Sequence, residues 1–378
     1  MPMSNDPPVI AVFAGPSGGH LFPALAFSEK FKEKVPKARL FFVTSLKGEP
    51  LIQGFPKHVF EEIIFLENFP SSPGISLRTL TFLLKLVRAF EESYRCLSRL
   101  HPDLCIGFGS YVSFPGIVLS SIKKIPTLIH EQNQVPGKAN RHLAVWVKTV
   151  AVSFPETFSE IPARRRALTG LPLRSQLTEA AARSRGLQSE APRDSKKFSL
   201  LVVGGSQGAN SINRAVLGAF SNLTSEEKNE FAVTHITGKS DFEAVSEAYR
   251  GLNIKARVFP FFENMEALYA EADLAVCRAG ANTLFELALF GVPAILIPYP
   301  YAGGHQQENA TEFVNRGAAF CEPEAALTAE RLLTLMRDVK GNLPLRRKMA
   351  AAMRTFSAED APLRLVELAL THLKGQKP

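Results

Sequence analysis

The chain has 378 residues, 46% of them hydrophobic, and a formal charge of +8. That length exceeds the roughly 100–200 residues usual for one domain, so two domains, each with its own core, are expected. Its four cysteines, Cys96, Cys105, Cys277 and Cys321, form no C-x-x-C pair and read most simply as buried free thiols in a reducing cytosol.

The chain opens on MPMSNDPP, with no basic region leading into an apolar core, so no secretory leader is expected. Short apolar runs then alternate with longer amphipathic stretches, the pattern of βαβ units and parallel sheets. In the first half strands are expected at Val9–Ala14, Leu40–Thr44, Leu104–Phe108, Thr127–His130 and Val150–Ser153. The uncharged runs Leu104–Ile122 and Leu287–Gly304 approach the length of a membrane span. Gly107, Gly109, Pro115 and Gly116 break the first, and Gly291, Pro293, Pro298 and Pro300 the second. They read as strand–loop–helix and helix–turn–strand.

A polar stretch, Arg174–Lys197, separates the halves, giving a first domain over 1–170, a linker over 171–197 and a second domain over 198–360. Strands of the second domain are expected at Leu200–Val203, Ala232–Ile236, Ala256–Phe259, Leu274–Cys277 and Ala294–Ile297. A last helix, about residues 361–376, can pack back on the first domain. The fold class is therefore α/β: two Rossmann-like domains with parallel sheets facing across a cleft.

The second domain restarts the plan of the first. VIAVFAGPSGGH (9–20) and FSLLVVGGSQGAN (198–210) each join a buried strand to a helix through a glycine loop. Such loops bring backbone N–H groups and the positive end of the helix dipole to an anion. Gly18 and Gly19 suit that role in the first loop; Gly204, Gly205 and Gly208, with the Ser206 hydroxyl, suit it in the second. Neither loop spells G-x-G-x-x-G, neither following strand ends in the acidic residue that would hold a ribose, and no G-x-x-x-x-G-K-[ST] occurs. HEQNQ (130–134) is not H-E-x-x-H, and no D-x-D occurs, so no metal site is expected and metal-free chemistry is favoured. His20 opens the first helix beside two glycines. A helix N-terminus favours the neutral imidazole, which can accept a proton, so His20 is the candidate general base.

Taken together, GPSGGHLFPALA (15–26), GFGSYVSFPG (107–116), IHEQNQVPG (129–137), GGSQGAN (204–210), CRAGANTLFELALFGVPAILIPYP (277–300) and HQQENA (305–310) resemble the MurG family of glycosyltransferases. The motifs lie in order and reach from the first strand past residue 310; the linker and the C-terminal helices match poorly. The resemblance implies the GT-B fold and an inverting transfer of N-acetylglucosamine from UDP-N-acetylglucosamine to the C4 hydroxyl of the muramyl sugar of lipid I, giving lipid II for peptidoglycan synthesis, with no cofactor. Two anion loops fit two diphosphates, one on the donor and one on the acceptor.

Carried over by position, Ser17, Gly18 and Gly19 form the first loop, and His20 and Glu131 are the catalytic candidates, without a decision between them as base. Tyr111 and Asn140 lie on the acceptor side. Asn133 holds the donor sugar, Arg174 and Ser206 approach the donor diphosphate, and the backbone of Phe262 pairs with uracil. Ala281, Asn282, Thr283, Leu284 and Phe285 open the helix facing the donor. Glu286 binds the ribose, and Gln306 and Gln307 bind the sugar hydroxyls, with Asn309 nearby. Glu131 and Asn133 could instead cap the following helix, Tyr111 could be packing, and Arg278 is equally an ion-pair partner. GPSGGH stands where the family has GGTGGH, and LPLR (171–174) where it has NPVR, which leaves the geometry around Arg174 open.

The lipid acceptor implies peripheral attachment to the cytoplasmic face of the inner membrane. Ile75–Phe90, with Arg78, Lys85 and Arg88, is the expected contact, joined by Lys123, Lys124, Lys138, Arg141 and Lys148. The basic excess fits: residues 1–170 carry 20 Lys+Arg against 13 Asp+Glu. Other cell-wall synthesis proteins are possible partners, and nucleic acid is not expected. Rival readings are a diacylglycerol glycosyltransferase, a UDP-N-acetylglucosamine epimerase on the same fold, and a non-catalytic lipid I scaffold.

Overall fold

Apolar runs with hardly a charge among them need cover on both faces, and they form the middle of two parallel sheets. The computed structural model describes residues 6–66, 78–190, 197–205, 208–301 and 304–374. It divides into two units, Met1–Arg174 with Ala358–Pro378, and Ser175–Ser357.

The strands of the first unit are β1 (Val9–Phe13), β2 (Arg39–Ser45), β3 (Glu62–Leu66), β4 (Leu104–Gly107), β5 (Thr127–Glu131), β6 (Thr149–Val152) and β7 (Arg166–Leu168). They pair in parallel in the order β3-β2-β1-β4-β5-β6-β7. The helices are α1 (Gly18–Lys34), α2 (Glu49–Ile52), α3 (Arg78–Leu100), α4 (Ser110–Ile122) and α5 (Lys138–Leu143). Strand residues alternate between faces. Ile10 and Val12 share a core with Leu21, Phe27 and Phe31 of α1, whereas Ala11 and Phe13 pack with Leu97 of α3 and Ile117 of α4. Burying a side chain the size of Phe27 contributes about 1.5–3 kcal/mol.

The second unit contains α6 (Ser175–Glu190), β8 (Phe198–Val203), α7 (Asn210–Ser221), α8 (Ser225–Asn229), β9 (Phe231–Ile236), α9 (Phe242–Gly251), β10 (Ala256–Phe259), α10 (Met265–Glu271), β11 (Leu274–Cys277), α11 (Ala281–Phe290), β12 (Ala294–Leu296), α12 (His305–Asn315), β13 (Ala319–Cys321), α13 (Ala329–Gly341) and α14 (Leu343–Arg354). Its parallel order is β10-β9-β8-β11-β12-β13. Leu200 and Val202 join Ile212, Val216 and Phe220 of α7 and Leu332 and Met336 of α13 in its core.

In each sheet the order reverses beside the first strand, between β1 and β4 and between β8 and β11. Connections leave in opposite directions there, and the crevice at that point is where open α/β sheets bind ligands. Both glycine loops follow those first strands.

The structure differs from the sequence expectation at the margins. β3, β7 and β13 were not expected. All three are edge strands with partly exposed residues, so they lack the continuous apolar run that marks a central strand. The stretch expected as a linker is largely helical: α6 packs on α10 and α11, and its Leu177 and Ala181 are buried. The final helix, α15 (Ala361–Lys374), packs against α1, and its Leu365, Val366 and Ala369 enter the core that holds Ile10.

Candidate active site

In the first unit, Ser17 is the N-cap of α1 with extended backbone, and its carbonyl accepts from His20 N at 3.0 Å and Leu21 N at 2.9 Å. Its side chain does not cap the turn, and the turn contains no acidic residue. The positive end of the helix dipole therefore faces out of the loop at Gly18 and Gly19. Arg174 belongs to this unit, and its guanidinium stacks over Phe22 of α1 at 4.7 Å. A Cβ on Gly18 would come within 2.9 Å of that same ring, so Arg174 stands beside the first glycine loop.

His20 is half-buried. Its imidazole lies against the turn that follows β4, where Gly109 has φ +93° and Ser110 φ +70°. A Cβ on Gly109 would meet His20 Cε1 at 3.1 Å. Glycine at 109 thus serves both the left-handed backbone and the room for the ring. Tyr111 follows in the first turn of α4, half-buried.

β5 brings the next group. His130 is fully buried and bonds through Nε2 to the Gly170 carbonyl at 3.0 Å. Glu131, 1% exposed, accepts at Oε1 from Asn133 N and Nδ2 (3.0 and 3.2 Å) and at Oε2 from Gly137 N and Asn140 Nδ2 (3.0 and 2.8 Å). Four donors around one buried carboxylate make it the organiser of loop 132–137 and of the start of α5. Asn140 is thereby tied to Glu131, and the two catalytic candidates differ in setting: Glu131 is buried among four donors, whereas His20 is half-buried beside the glycine turn.

In the second unit, Gly208 has φ +81°, and a Cβ there would lie 2.3 Å from the Thr237 carbonyl; only glycine lets this loop cross the end of β9. Ser206 lies outside the described residues. Beneath the loop, His235 bonds Tyr249 Oη at 2.9 Å and Asn213 Oδ1 at 3.0 Å, while Asn213 Nδ2 donates to Asp241 at 2.8 Å. Gly280 caps α11 with no side-chain bond, so Ala281, Asn282 and Thr283 present the first turn. Leu284 and Phe285 continue α11 with buried side chains, Phe285 edge-on to Phe313 at 6.1 Å, so what they can offer a ligand is backbone rather than side chain. Glu286 is 7% exposed and accepts from Tyr269 Oη at 2.7 Å, which accounts for a carboxylate in an apolar helix.

Gln306 Oε1 accepts from Ala279 N (3.1 Å) and Tyr299 N (3.0 Å), and Asn309 Nδ2 donates to Ala279 O (3.2 Å). The Gln306 oxygen is therefore committed to joining two loops, and its amide nitrogen is the group suited to a sugar hydroxyl. Gln307, next on α12, is exposed, with its amide toward Cys321 of β13. Phe262 packs against Phe259 with the rings tilted by 50° and their centroids 4.6 Å apart. Arg278 bonds Glu324, Ser211 and the Ile297 and Pro298 carbonyls, the set of a structural tie. Sequence reasoning missed Gln132, Tyr269 and the His235 cluster. Gln132 lies within a recognisable motif, whereas no local pattern marks Tyr269 or His235 as partners.

Burial lowers His130 to about 4 and His235 to about 3. Above about pH 6.5 both are neutral whether folded or unfolded, and nothing is lost. Below that, the unfolded chain takes up a proton at each position that the fold refuses. Stability then falls with pH by about 1.4 kcal/mol per pH unit per histidine. Urea unfolding at about pH 7 and about pH 5 is expected to show about 2 kcal/mol lost per histidine, and His235→Gln to remove its share. Equal acid sensitivity in that variant would contradict burial of His235 as a cause.

The family comparisons meet this geometry. Residues 10–152 match the glycosyltransferase family 28 N-terminal domain and residues 199–364 its C-terminal domain. The UDP-N-acetylglucosamine–N-acetylmuramyl-(pentapeptide) pyrophosphoryl-undecaprenol N-acetylglucosamine transferase of Desulfotalea psychrophila is 38% identical over 359 residues, 94% of this chain and 95% of its own. The chain belongs to this transferase family. The Thermodesulfovibrio yellowstonii transferase of the same name is 34% identical over 375 residues, 97% of this chain and 100% of its own. Acinetobacter baumannii MurG superposes with a TM-score of 0.76 at 29% identity, covering 97% of this chain and 100% of its own. A Listeria monocytogenes protein described as a putative UDP-N-acetylglucosamine 2-epimerase reaches a TM-score of 0.70 at 12% identity, a likeness of fold alone. The two parallel-sheet units are thus the GT-B architecture of the MurG family.

Proposed function

We propose that the chain transfers N-acetylglucosamine from UDP-N-acetylglucosamine to the C4 hydroxyl of the muramyl sugar of lipid I, giving lipid II with inversion at the anomeric carbon. The names of relatives matched over nearly the whole chain support the substrates. The observation that carries the mechanism is the placing of His20, beside Gly109 at the order reversal of the first sheet. In this reading its imidazole takes the proton of the attacking hydroxyl. Helix dipoles at the second glycine loop and at α11 stabilise the departing diphosphate without a metal or cofactor, in keeping with a sequence that holds no D-x-D.

The acceptor's lipid calls for a membrane surface, and the first unit offers one. Tyr94, Ile122, Val145 and Trp146 are exposed. Lys123 Nζ lies 4.3 Å over the Tyr94 ring, and Ser121 Oγ bonds the Trp146 carbonyl, so these residues adjoin, with Lys124 and Arg141 exposed near them. No described helix is long and apolar enough to cross a membrane. Peripheral docking on the cytoplasmic face fits this surface, each basic residue adding about 1 kcal/mol near an anionic leaflet. Of the segment expected to make this contact, Ile75–Leu77 lie outside the described residues; Lys85 and Arg88 are exposed on α3.

The test is transfer of radiolabelled N-acetylglucosamine from its UDP donor to a short-chain lipid I analogue with EDTA present. Label in the lipid is expected; UDP release only with other lipids, or donor turnover with no acceptor, would overturn the reading. Replacing Val145 and Trp146 together by Ser is expected to cut binding to anionic vesicles about tenfold while leaving transfer to the soluble analogue unchanged. Vesicle binding at the wild-type level would remove this surface from the account.

A further inference from the structure

Gln132 is 2% exposed and belongs to none of the roles above. Its amide orientation is fixed by what surrounds it. Nε2 lies 3.1 Å from the Phe108 carbonyl and 3.2 Å from the His130 carbonyl, two acceptors that only the NH₂ group can meet. Nε2 is also 3.3 Å from His130 Nδ1. That contact is consistent, because His130 gives its Nε2 proton to the Gly170 carbonyl at 3.0 Å, which makes Nδ1 the lone-pair nitrogen. The amide oxygen is left to face His20, with Oε1 3.3 Å from His20 Nδ1. A carbonyl oxygen can only accept, so the proton at this contact belongs to His20 Nδ1, and the lone pair of the neutral ring belongs to Nε2.

We propose that Gln132 is a positioning residue that holds His20 in its Nδ1–H tautomer, with His130 and the Gly170 carbonyl fixing the orientation of the Gln132 amide. The inference rests on His20 as base. An uncharged amide is well matched to this role, because it selects a tautomer without holding the proton once the base has taken it, as a carboxylate would. Every donor and acceptor in the line, from Gly170 O through His130 and Gln132 to His20, is buried except the last. Because His130 stays neutral down to about 4, the line keeps its sense throughout the neutral range.

The test is imidazole ¹⁵N spectroscopy on histidine-labelled full-length chain, with His20 signals assigned from their absence in His20→Ala. Wild type is expected to show a protonated Nδ1 and a lone-pair Nε2 at His20. Gln132→Met, which keeps volume and removes the carbonyl, is expected to move His20 toward the Nε2–H form. Its kcat should fall roughly 10- to 100-fold, with KM for the donor within about twofold. An Nε2–H signal for His20 in wild type would overturn the inference whatever the variants do, and so would an unchanged tautomer in folded Gln132→Met. Failure of the base reading is distinguishable: full transfer by His20→Ala would sink that reading while the tautomer measurement stood apart from it.

Discussion

His20→Ala is expected to lower kcat by about 10³-fold, the scale on which a positioned general base contributes. The protein should remain folded. His20 is half-buried at the mouth of a loop, so truncation exposes a hollow beside Gly109 rather than opening a sealed cavity. A loss near 1 kcal/mol, a shift of a few degrees in Tm, is the expected cost. Donor binding, measured by calorimetry with UDP-N-acetylglucosamine, should persist, since α11, Glu286 and Gln306 belong to the other unit. His20→Gln sharpens the result: it keeps a donor toward Gln132 and has no basic nitrogen, so it should be as inactive as the alanine variant. Transfer within tenfold of wild type in either variant would show that the hydroxyl loses its proton by another route.

The central part of each sheet was legible because burial on both faces leaves only apolar residues. VIAVF, LCIG, LAVC and AIL could be little else. The edges were not: Arg166–Leu168 and Ala319–Cys321 are three residues each, half-wetted, and take their strand character from the neighbour they pair with. The helix over Ser175–Glu190 was hidden by its polar composition, since α10 and α11 cover only a narrow stripe of it. At the site, the glycine loops and His20 announced themselves, because a strand, a glycine turn and a helix start are contiguous. Leu284 and Phe285 are named by their place in a motif, and only the structure shows that their side chains are buried. Gln132 is the opposite case. It stood in view within HEQNQ, but its meaning depends on Phe108, Gly170 and His20, brought together by the order β1-β4-β5-β6-β7.

Glu131 is where a sequence-level alternative receives its sharpest test. Glu131→Ala removes the acceptor from four donors, two on Asn133 and one each on Gly137 and Asn140. A bond to a buried charge contributes about 1.5–3 kcal/mol, and stripping such a centre costs the desolvation of every group left behind. A loss of about 3–5 kcal/mol is expected, read as a lower urea midpoint and faster proteolysis within 132–140. Glu131→Gln should fall between: one amide oxygen can still serve the Asn133 pair, but the NH₂ group then faces Gly137 N and Asn140 Nδ2, donor against donor. The discriminating readout is the pH dependence of kcat in that variant. An organiser changes the height of the profile and leaves its shape, because the titrating base is elsewhere. A proton acceptor would do the reverse, erasing the limb that reports deprotonation while the fold kept its stability. Loss of the limb in Glu131→Gln at wild-type stability would transfer the base assignment from His20 to Glu131. Retention of the limb at reduced stability would fix Glu131 as the post around which the acceptor-side loop is wound.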